Sequence, residues 1–410
     1  MTGPLVGAET LAARLDAISA LLERAGARLA ANPFFDPDPA WLGEAPALAE
    51  LLLGLDDAEV DALELDPAAL RRRLAPADPL QGSIEPLASV GRWPVPGAAG
   101  DIPEPPHVPG RKWAQVLAFS NALPAWPGPF VDWCAGKGHL GRRLAERSGS
   151  SARCIERSRT LCDDGAALAA ATPVRFECRD VIADPPALHT DEQLTALHAC
   201  GHLHDALVAG SIDAGIRAVA LAPCCYHLGS ARGEPWRPAS RRGPATPLPD
   251  DLVRLAVRET VTAPAHVRRQ RRTERAFRLG FDALRRTLEP DRPAYRSLPS
   301  VPKRLLGEGF AAFCAEGAAQ LGLTLPPGID FERWYEEGGR ADDRARRLEL
   351  ARSPFRRLLE LRMVLDRALW LAEAGYEVGV GEFCARALTP RNLLILAERS
   401  VSSPTGRGSG

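Results

Sequence analysis

Two groups of residues have the types and spacing that a chemical site needs. The first is the segment FVDWCAGKGHLGRRLAE, in which Gly136 and Gly138 follow a short apolar run. Glycines at this point let the backbone approach a ligand more closely than any side chain would allow. A helix that begins directly after them directs its unpaired N–H groups at that ligand. The segment therefore predicts a strand, a ligand-binding loop and a helix.

The spacing within this loop fits two classes of ligand. Gly136, Gly138 and Gly141 match the G-x-G-x-x-G pattern of dinucleotide-binding proteins. Asp132, four residues before the first loop glycine, is well placed for an ammonium group and favours S-adenosyl-L-methionine instead. A plain structural turn is the third interpretation. The predicted cofactor-binding residues are Asp132, Cys134, Gly136, Lys137, Gly138, Glu156, Asp180 and His198.

Two of these acids follow later strands. Glu156 lies 20 residues after Gly136 at the end of the second predicted strand, where a carboxylate can accept hydrogen bonds from both ribose hydroxyls. Asp180 ends VRFECRD and could accept a hydrogen bond from the adenine amino group. The alternatives are a surface glutamate paired with Arg157 or Arg159, and an aspartate that only caps a turn.

The second group of chemical residues is the cysteine and histidine cluster of HACGHLH and CCYH. His198 and Cys200 alternate on a predicted strand, so we expect both side chains on one face. Four more polar residues follow the next strand, which should bring the two sets together near the cofactor. The candidate catalytic residues are His198, Cys200, Cys224, Cys225, Tyr226 and His227.

Several interpretations of this cluster remain open. It could shape the pocket and orient the acceptor, with one histidine or tyrosine accepting a proton. Cys224 or Cys200 could instead be a nucleophile that adds to a pyrimidine, activated by a nearby positive group. Cysteine and histidine are also zinc ligands, but C-x-x-C pairs are absent, and we predict no bound metal. Free cysteines can also pack simply as small hydrophobes.

Strands alternate with helices from residue 113 to residue 222, which predicts a parallel sheet covered on both faces. Ligands of such sheets lie at the carboxyl ends of the strands, where both groups fall. The rhythm is lost after Tyr226 and returns with YEVGVGEF and LLILAER, two strands close enough to form a hairpin. We therefore predict an α/β fold with a Rossmann-like class I methyltransferase sheet, mostly parallel with a terminal antiparallel hairpin.

Composition changes along the chain predict its domain organisation. The helical regions are the N-terminal region and an insertion after the fifth strand, and a Pro/Gly-rich stretch precedes the sheet. The predicted boundaries are residues 1–75 for the helical N-terminal region, 76–110 for the linker, 111–227 for the first part of the core, 228–353 for the basic helical insertion, 354–400 for the last helix and hairpin, and 401–410 for a disordered tail.

FVDWCAGKGHLG, LHACG, APCCYH and AEAGYEV…LTPRNLLI together resemble a known family, over roughly residues 110–230 and 355–400. They are similar to the catalytic half of the glutathione S-transferase C-terminal domain-containing protein and to related bacterial methyltransferase-domain proteins. The resemblance implies a class I methyltransferase that uses S-adenosyl-L-methionine. A non-catalytic protein that keeps the cofactor fold as a scaffold is the rival, and a Cys/His metal-binding protein is another.

Charge is distributed unevenly and suggests a partner. Residues 1–105 carry a net charge of −10, whereas the Arg268–Arg304 region is strongly basic, with a balance of +8 from residue 266 to residue 304. A basic face beside an active site suits the phosphate backbone of RNA, and we favour RNA over protein as the acceptor. The alternatives are pairing of this face with the acidic N-terminal region and binding of another acidic partner. Without a predicted membrane span or signal peptide, and with nine cysteines, we expect a cytoplasmic protein with no membrane partner.

Overall fold

The computed structural model describes residues 3–95, 108–229, 233–258, 264–299 and 301–399. The chain forms two compact units, each assembled from separate segments. The first unit takes its described residues from Met1–Glu23, Glu85–Arg258 and Arg356–Gly410, and the second from Arg24–Ile84 and Glu259–Phe355. Among the described helices, none combines the length and the apolar composition that crossing a membrane requires.

A single eight-stranded sheet organises the first unit. In spatial order its strands run β1-β7-β8-β6-β5-β2-β3-β4. The five strands β2 to β6 form a parallel group, in which every neighbouring pair is parallel. Strand β8 runs antiparallel to both β6 and β7. The strands are β1 Leu5–Val6, β2 Phe130–Trp133, β3 Ala152–Glu156, β4 Val174–Cys178, β5 Gln193–Cys200, β6 Ala218–Cys224, β7 Glu377–Glu382 and β8 Leu393–Glu398.

This sheet confirms the predicted mixed α/β architecture with a terminal antiparallel hairpin, and it is consistent with a methyltransferase fold. The connections change direction at β2, which lies between β5 and β3. The carboxyl ends of β2 and β5 therefore border the crevice where open α/β sheets bind ligands. Strand β1, which pairs antiparallel with β7 through Leu5 and Val380, extends the sheet beyond the predicted strands.

Helices cover the sheet because its central strands are apolar throughout. Every residue of β2 and β6 is buried, as expected for parallel strands covered on both faces. One core joins Trp113, Val116 and Phe119 to small side chains of β6 and to the helix after the glycine loop. The helices of this unit are α1 Ala8–Arg24, α7 Gln81–Ala88, α8 Gly110–Ala122, α9 His139–Ser148, α10 Arg159–Leu168, α11 His202–Ala214, α12 Asp250–Val257 and α17 Arg356–Glu373.

The second unit is helical. Its long helices α13 and α16 pack closely because glycines face each other's backbone: a Cβ at Gly280 would lie 2.4 Å from Trp334 O, and one at Gly338 2.2 Å from Ala276 O. Phe277 and Phe281 of α13 fill one of its cores. The helices are α2 Gly26–Ala30, α3 Trp41–Glu44, α4 Pro46–Leu53, α5 Asp57–Leu65, α6 Pro67–Leu74, α13 Ala265–Leu288, α14 Leu305–Glu308, α15 Phe310–Leu321 and α16 Phe331–Glu349.

Ion pairs inside the second unit neutralise many of its arginines. Arg272 lies 2.7 Å from Asp343 and 3.6 Å from Asp57, and Arg275 lies 2.6 Å from the buried Asp342. The acidic residues of α5 contribute further partners. Additional pairs are Arg346 with Asp61 and Glu64, Arg347 with Asp57, Arg285 with Asp282 and Glu289, and Arg286 with Asp282. Much of the positive charge expected to face RNA is therefore neutralised by ion pairs within this unit.

The structure differs from the predicted domain organisation in the first hundred residues. Helix α1 packs with the sheet, whereas α2 to α6 belong to the second unit, so the N-terminal region is not one helical domain. The predicted 76–110 linker contains α7, and Arg92 forms a bridge with Glu382 at the end of β7. Residues 96–107 and the predicted tail at 401–410 lie outside the described residues. Composition alone could not distinguish a linker from a proline-containing helix.

Gly138 and Gly149, at the two ends of α9, offer a matched test of the glycine loop. Both have left-handed backbones, with φ of 67° and 65°, so alanine should cost about 1–2 kcal/mol at either position. An added Cβ at Gly138 would lie 2.5 Å from Phe176 Cζ, while nothing lies within 4 Å at Gly149. We expect Gly138→Ala to lower the free energy of unfolding by a further ~1–3 kcal/mol in chemical denaturation. Equal losses for both variants would contradict this account.

Candidate active site

The candidate site lies at the carboxyl ends of β2, β5 and β6. Each of these neighbouring strands has a non-glycine residue with a left-handed backbone at or near its carboxyl end. They are Cys134 directly after β2 at φ 57°, His198 two residues before the end of β5 at φ 67° and Cys225 directly after β6 at φ 48°. They are the only such residues in the part of the chain that the structure describes. Left-handed conformations are costly for residues with a Cβ and concentrate at functional sites. The sheet edge therefore stores backbone strain where the sequence places its chemical groups.

Two carboxylates fix the glycine loop. Asp132, at 3% exposure, accepts a hydrogen bond of 2.9 Å from the backbone N–H of Gly141 in α9. Glu156, at the end of β3, accepts one of 2.9 Å from the N–H of Gly136 and another of 2.9 Å from Ser158. The two acids thus tie the loop to the ends of two neighbouring strands.

The loop glycines face different surroundings. A Cβ at Gly138 or Gly141 would collide with Cys154, and the one at Gly138 also with Phe176, so these glycines serve packing. A Cβ at Gly136 would meet only one described atom within 4 Å, the Nζ of Lys112 at 4.0 Å. Gly136 therefore faces an open space that has an ammonium group at its border.

Asp132 has a perturbed charge state. Burial raises its pKa to about 7, against the opposing effects of the Gly141 hydrogen bond and the positive charge of Lys112. A carboxylate that is poised between its charged and neutral forms at neutral pH gains from a cationic ligand, which would lower its pKa again. The loop thus combines a glycine cradle with an acid suited to an ammonium or sulfonium group.

Two predicted cofactor residues have their side chains in other contacts. The ammonium of Lys137 lies 2.8 Å from Asp164 of α10. Asp180 accepts hydrogen bonds from the N–H groups of Ile182 at 2.9 Å and Ala183 at 3.3 Å, which lower its pKa. One carboxylate oxygen of Asp180 therefore caps a turn, as the alternative interpretation of this residue predicts.

His198 lies where β5 departs from regular pairing. The register with β6 shifts between Leu197 and Ala199, so simple alternation does not apply there, and the expectation that His198 and Cys200 share a face loses its basis. His198 Nε2 lies 2.8 Å from Gln115 Oε1, and Gln115 Nε2 donates to Leu388 O. The glutamine oxygen is thus the acceptor and His198 Nε2 carries the proton.

This histidine is neutral at physiological pH. Burial lowers the pKa of His198 to about 4, and the positive charge of Arg391 acts in the same direction. With Nε2 holding the proton, Nδ1 keeps its lone pair. His198 can therefore accept a hydrogen bond through Nδ1 at any pH above about 5.

Three thiols converge beside this histidine. Cys200 and Cys224 are register partners across β5 and β6, and their sulfurs are 3.4 Å apart. Cys225 follows at once, and the three sulfur atoms lie within 4.8 Å of one another. We call these three residues the thiol cluster. Hydrogen bonds from Cys200 and Cys224 lower the pKa of Cys225, whereas the pKa of Cys224 is raised by its bonds to Cys200 and Cys225 and by burial. The thiolate form is therefore favoured at Cys225 over Cys224.

Other predicted catalytic residues have structural roles in their contacts. Tyr226 is 2% exposed, donates a hydrogen bond to Pro223 O at 3.3 Å and packs edge-on against His204. Burial raises its pKa well above the usual value, so its hydroxyl stays protonated. His227 differs, because its Nδ1 is buried and the described residues offer it no hydrogen-bond partner.

Three residues of the site lie outside the sequence motifs that predicted it. Lys112 and Gln115 come from α8, and Arg391 comes from the loop between β7 and β8, where it donates to the buried Glu360 at 3.0 Å. Lys112 is one of only three lysines in the chain, which is a weak signal in retrospect. The contacts of all three depend on long-range packing that residue spacing does not encode.

Comparison with known families agrees with this geometry. Residues 122–232 match the family described as a methyltransferase domain. This segment contains the glycine loop, β2 to β6 and the thiol cluster, and the match supports a methyltransferase-domain family. The comparison with curated proteins finds no match for the chain.

The charge distribution in the thiol cluster predicts selective alkylation. Because the pKa of Cys225 is lowered and that of Cys224 is raised, Cys225 should be a thiolate at pH 7 and Cys224 a thiol. We expect iodoacetamide to modify Cys225 first in chelator-treated, reduced protein, with a rate that changes little between pH 6 and pH 8. Peptide mass spectrometry identifies the residue. Faster labelling of Cys224 would reverse the assignment.

Proposed function

We propose that the protein is an S-adenosyl-L-methionine-dependent methyltransferase. The observation that carries the proposal is the open face of Gly136, bordered by Lys112 and held by Glu156, within the segment that matches a methyltransferase domain. A dinucleotide would need its pyrophosphate at this loop. The buried Asp132 carboxylate disfavours such an anion and suits a cationic ligand.

The residues present fit the parts of this cofactor. Lys112 would bind its carboxylate and Asp132 its ammonium group. Glu156 would bind the ribose hydroxyls, since each of its oxygens accepts one backbone hydrogen bond and retains a second lone pair. The remaining Asp180 oxygen is our proposed partner for the adenine amino group. S-adenosyl-L-methionine, when bound, supplies an activated methyl group.

His198 is our candidate for the group that receives the acceptor's proton. It is neutral, its Nε2–H is fixed by Gln115, and its Nδ1 lone pair is available. The protein otherwise orients the acceptor and excludes water, which is most of what methyl transfer from an activated donor requires. If the cluster acts instead as a nucleophile, Cys225 suits that role better than Cys224 or Cys200, because only its pKa is lowered.

We propose a macromolecular acceptor, with RNA ahead of protein. The ion pairs of Arg272, Arg275 and their neighbours weaken the argument from the Arg268–Arg304 region. A different set supports RNA. Arg111 and Lys112 at the start of α8, Arg157 after β3 and Arg386 in the β7–β8 loop are exposed basic side chains around the carboxyl edge of the sheet. Arg157 lies 3.8 Å from Asp180, but its side chain is 81% exposed. Such a rim suits phosphate groups.

The main rival function is a scaffold that binds the cofactor without catalysis. A scaffold and an enzyme would use the same glycine loop to bind the cofactor. The two functions differ only in whether His198 and the acceptor side of the site take part in a reaction. Turnover with any acceptor excludes the scaffold.

Cofactor binding gives the first test. Calorimetry should show S-adenosyl-L-methionine binding in a 1:1 complex, with no comparable heat for NAD. Gly136→Val should abolish binding, because the side chain would enter the open space and strain a backbone at φ 59°. Gly149→Val, with a similar φ and nothing within 4 Å, is the matched control and should bind normally. Binding of NAD alone, or normal binding by Gly136→Val, would overturn the cofactor assignment.

Methyl-labelled cofactor and fractionated cell RNA and protein test the acceptor. We expect label in RNA, and loss of at least about 100-fold in rate with His198→Ala, the usual size of general-base catalysis. Arg157→Glu combined with Arg386→Glu should weaken RNA binding and reduce its salt dependence by about two counterions. Arg217→Glu is the control, since this exposed arginine precedes β6 at the opposite edge. Label only in protein would exclude the RNA proposal, and no label in either would favour the scaffold.

A further inference from the structure

The thiol cluster has the composition and spacing of a metal site. Zinc–thiolate bonds of about 2.3 Å in a tetrahedral shell place neighbouring sulfurs roughly 3.8 Å apart. The sulfurs of Cys200 and Cys224 are already 3.4 Å apart, and all three sulfurs of the cluster lie within 4.8 Å of one another. A cation could therefore bind with small side-chain rotations.

The backbone holds these sulfurs together. Cys200 and Cys224 are fixed opposite each other by the pairing of β5 and β6. Cys225 adopts a left-handed conformation at φ 48°, directly before the 3-10 turn Tyr226–Leu228. Its sulfur joins the other two although Cys225 directly follows Cys224, the last residue of β6, and a continued strand would point the Cys225 side chain to the opposite face. This strain has an explanation if the three sulfurs share a ligand.

Binding of a divalent ion to this cluster would be linked to proton release, because a thiol that coordinates a metal ion is deprotonated. The measured uptake of a metal ion should therefore depend on pH and should exchange protons with the buffer.

We propose that Cys200, Cys224 and Cys225 bind one Zn²⁺ ion at the carboxyl edge of the sheet. Three protein ligands leave a fourth position for an exchangeable ligand, which is the pattern of zinc sites that take part in reactions rather than closed structural sites. The site adjoins His198, which precedes Cys200 by two residues on β5. This inference reverses our expectation from sequence that no metal binds, and it does not depend on the proposed methyl transfer.

Zinc titration of the full chain tests the proposal in the absence of the methyl donor. The protein is stripped with chelator and kept reduced with a phosphine, and Zn²⁺ is added against a chromophoric competitor. We expect one ion per chain and release of protons, seen in calorimetry as a dependence of the heat on the buffer. Co²⁺ should give a thiolate-to-metal charge-transfer band and the visible bands of a tetrahedral ion.

Serine variants connect this binding to the cluster. Cys225→Ser should weaken zinc at least about 100-fold, beyond the 10–100-fold typical of losing an outer-shell partner. Cys384→Ser, which removes another buried thiol of the same unit, is the control and should bind normally. If Cys224→Ser misfolds, Cys225→Ser still tests the site, since Cys225 is only half-buried. Unchanged affinity in Cys225→Ser or the absence of 1:1 binding would overturn the proposal.

Discussion

Two hydrogen bonds between carboxylates and backbone amides hold the candidate site together. Asp132 binds the N–H of Gly141, and Glu156 binds the N–H of Gly136. Each bond joins a residue at the end of a strand to the glycine segment. The position of the loop is therefore fixed by the sheet. The burial of Asp132, with a pKa near 7, shows the cost of this arrangement. A bound cation would offset part of that cost, so the same acids can serve both the fold and the ligand.

Charge in this protein is best judged from contacts. The acidic N-terminal region and the basic insertion are far apart in sequence, yet both contribute helices to the second unit. In that unit Asp57 and Asp61 lie near Arg272. An arginine in such a pair has lost much of its attraction for an external phosphate. In contrast, Lys112 has no ion-pair partner within 4.0 Å among the described residues, and it lies beside the open face of Gly136. One lysine in the right place thus contributes more to the proposed site than many paired arginines.

The strands of the sheet were predictable because their apolar runs are local and bounded by glycine or proline. The strand β3, for example, has the predicted limits Ala152–Glu156. The glycine loop was recognisable for the same reason. The bulge at His198 and the left-handed Cys225 were not, since both depend on how β5 pairs with β6.

Longer-range features could not be read from spacing either. The helical pattern of this segment predicts Val267, Ala276, Leu279 and Ala283 toward the core. Of these only Ala276 is buried, and the buried face of α13 includes Phe277, Gly280 and Phe281 instead of the other three. Phenylalanines and a close helix crossing decide that face, and the partner helix lies about sixty residues later in the chain. The assignment of α1 to the sheet depends likewise on β1, whose partner is near the other end of the described chain.

The pairing of β1 with β7 also has a consequence for biosynthesis. Leu5 is synthesised long before its partner Val380, and most of the described chain lies between them. The hairpin of β7 and β8 also follows β6 only after a long intervening segment, so the edge of β6 that binds β8 stays unpaired until that segment has been made. Contacts of such sequence separation form slowly, and an exposed apolar strand edge invites association with other chains. Productive folding of this protein must therefore protect β6 during translation, which gives general chaperones a defined segment to shield.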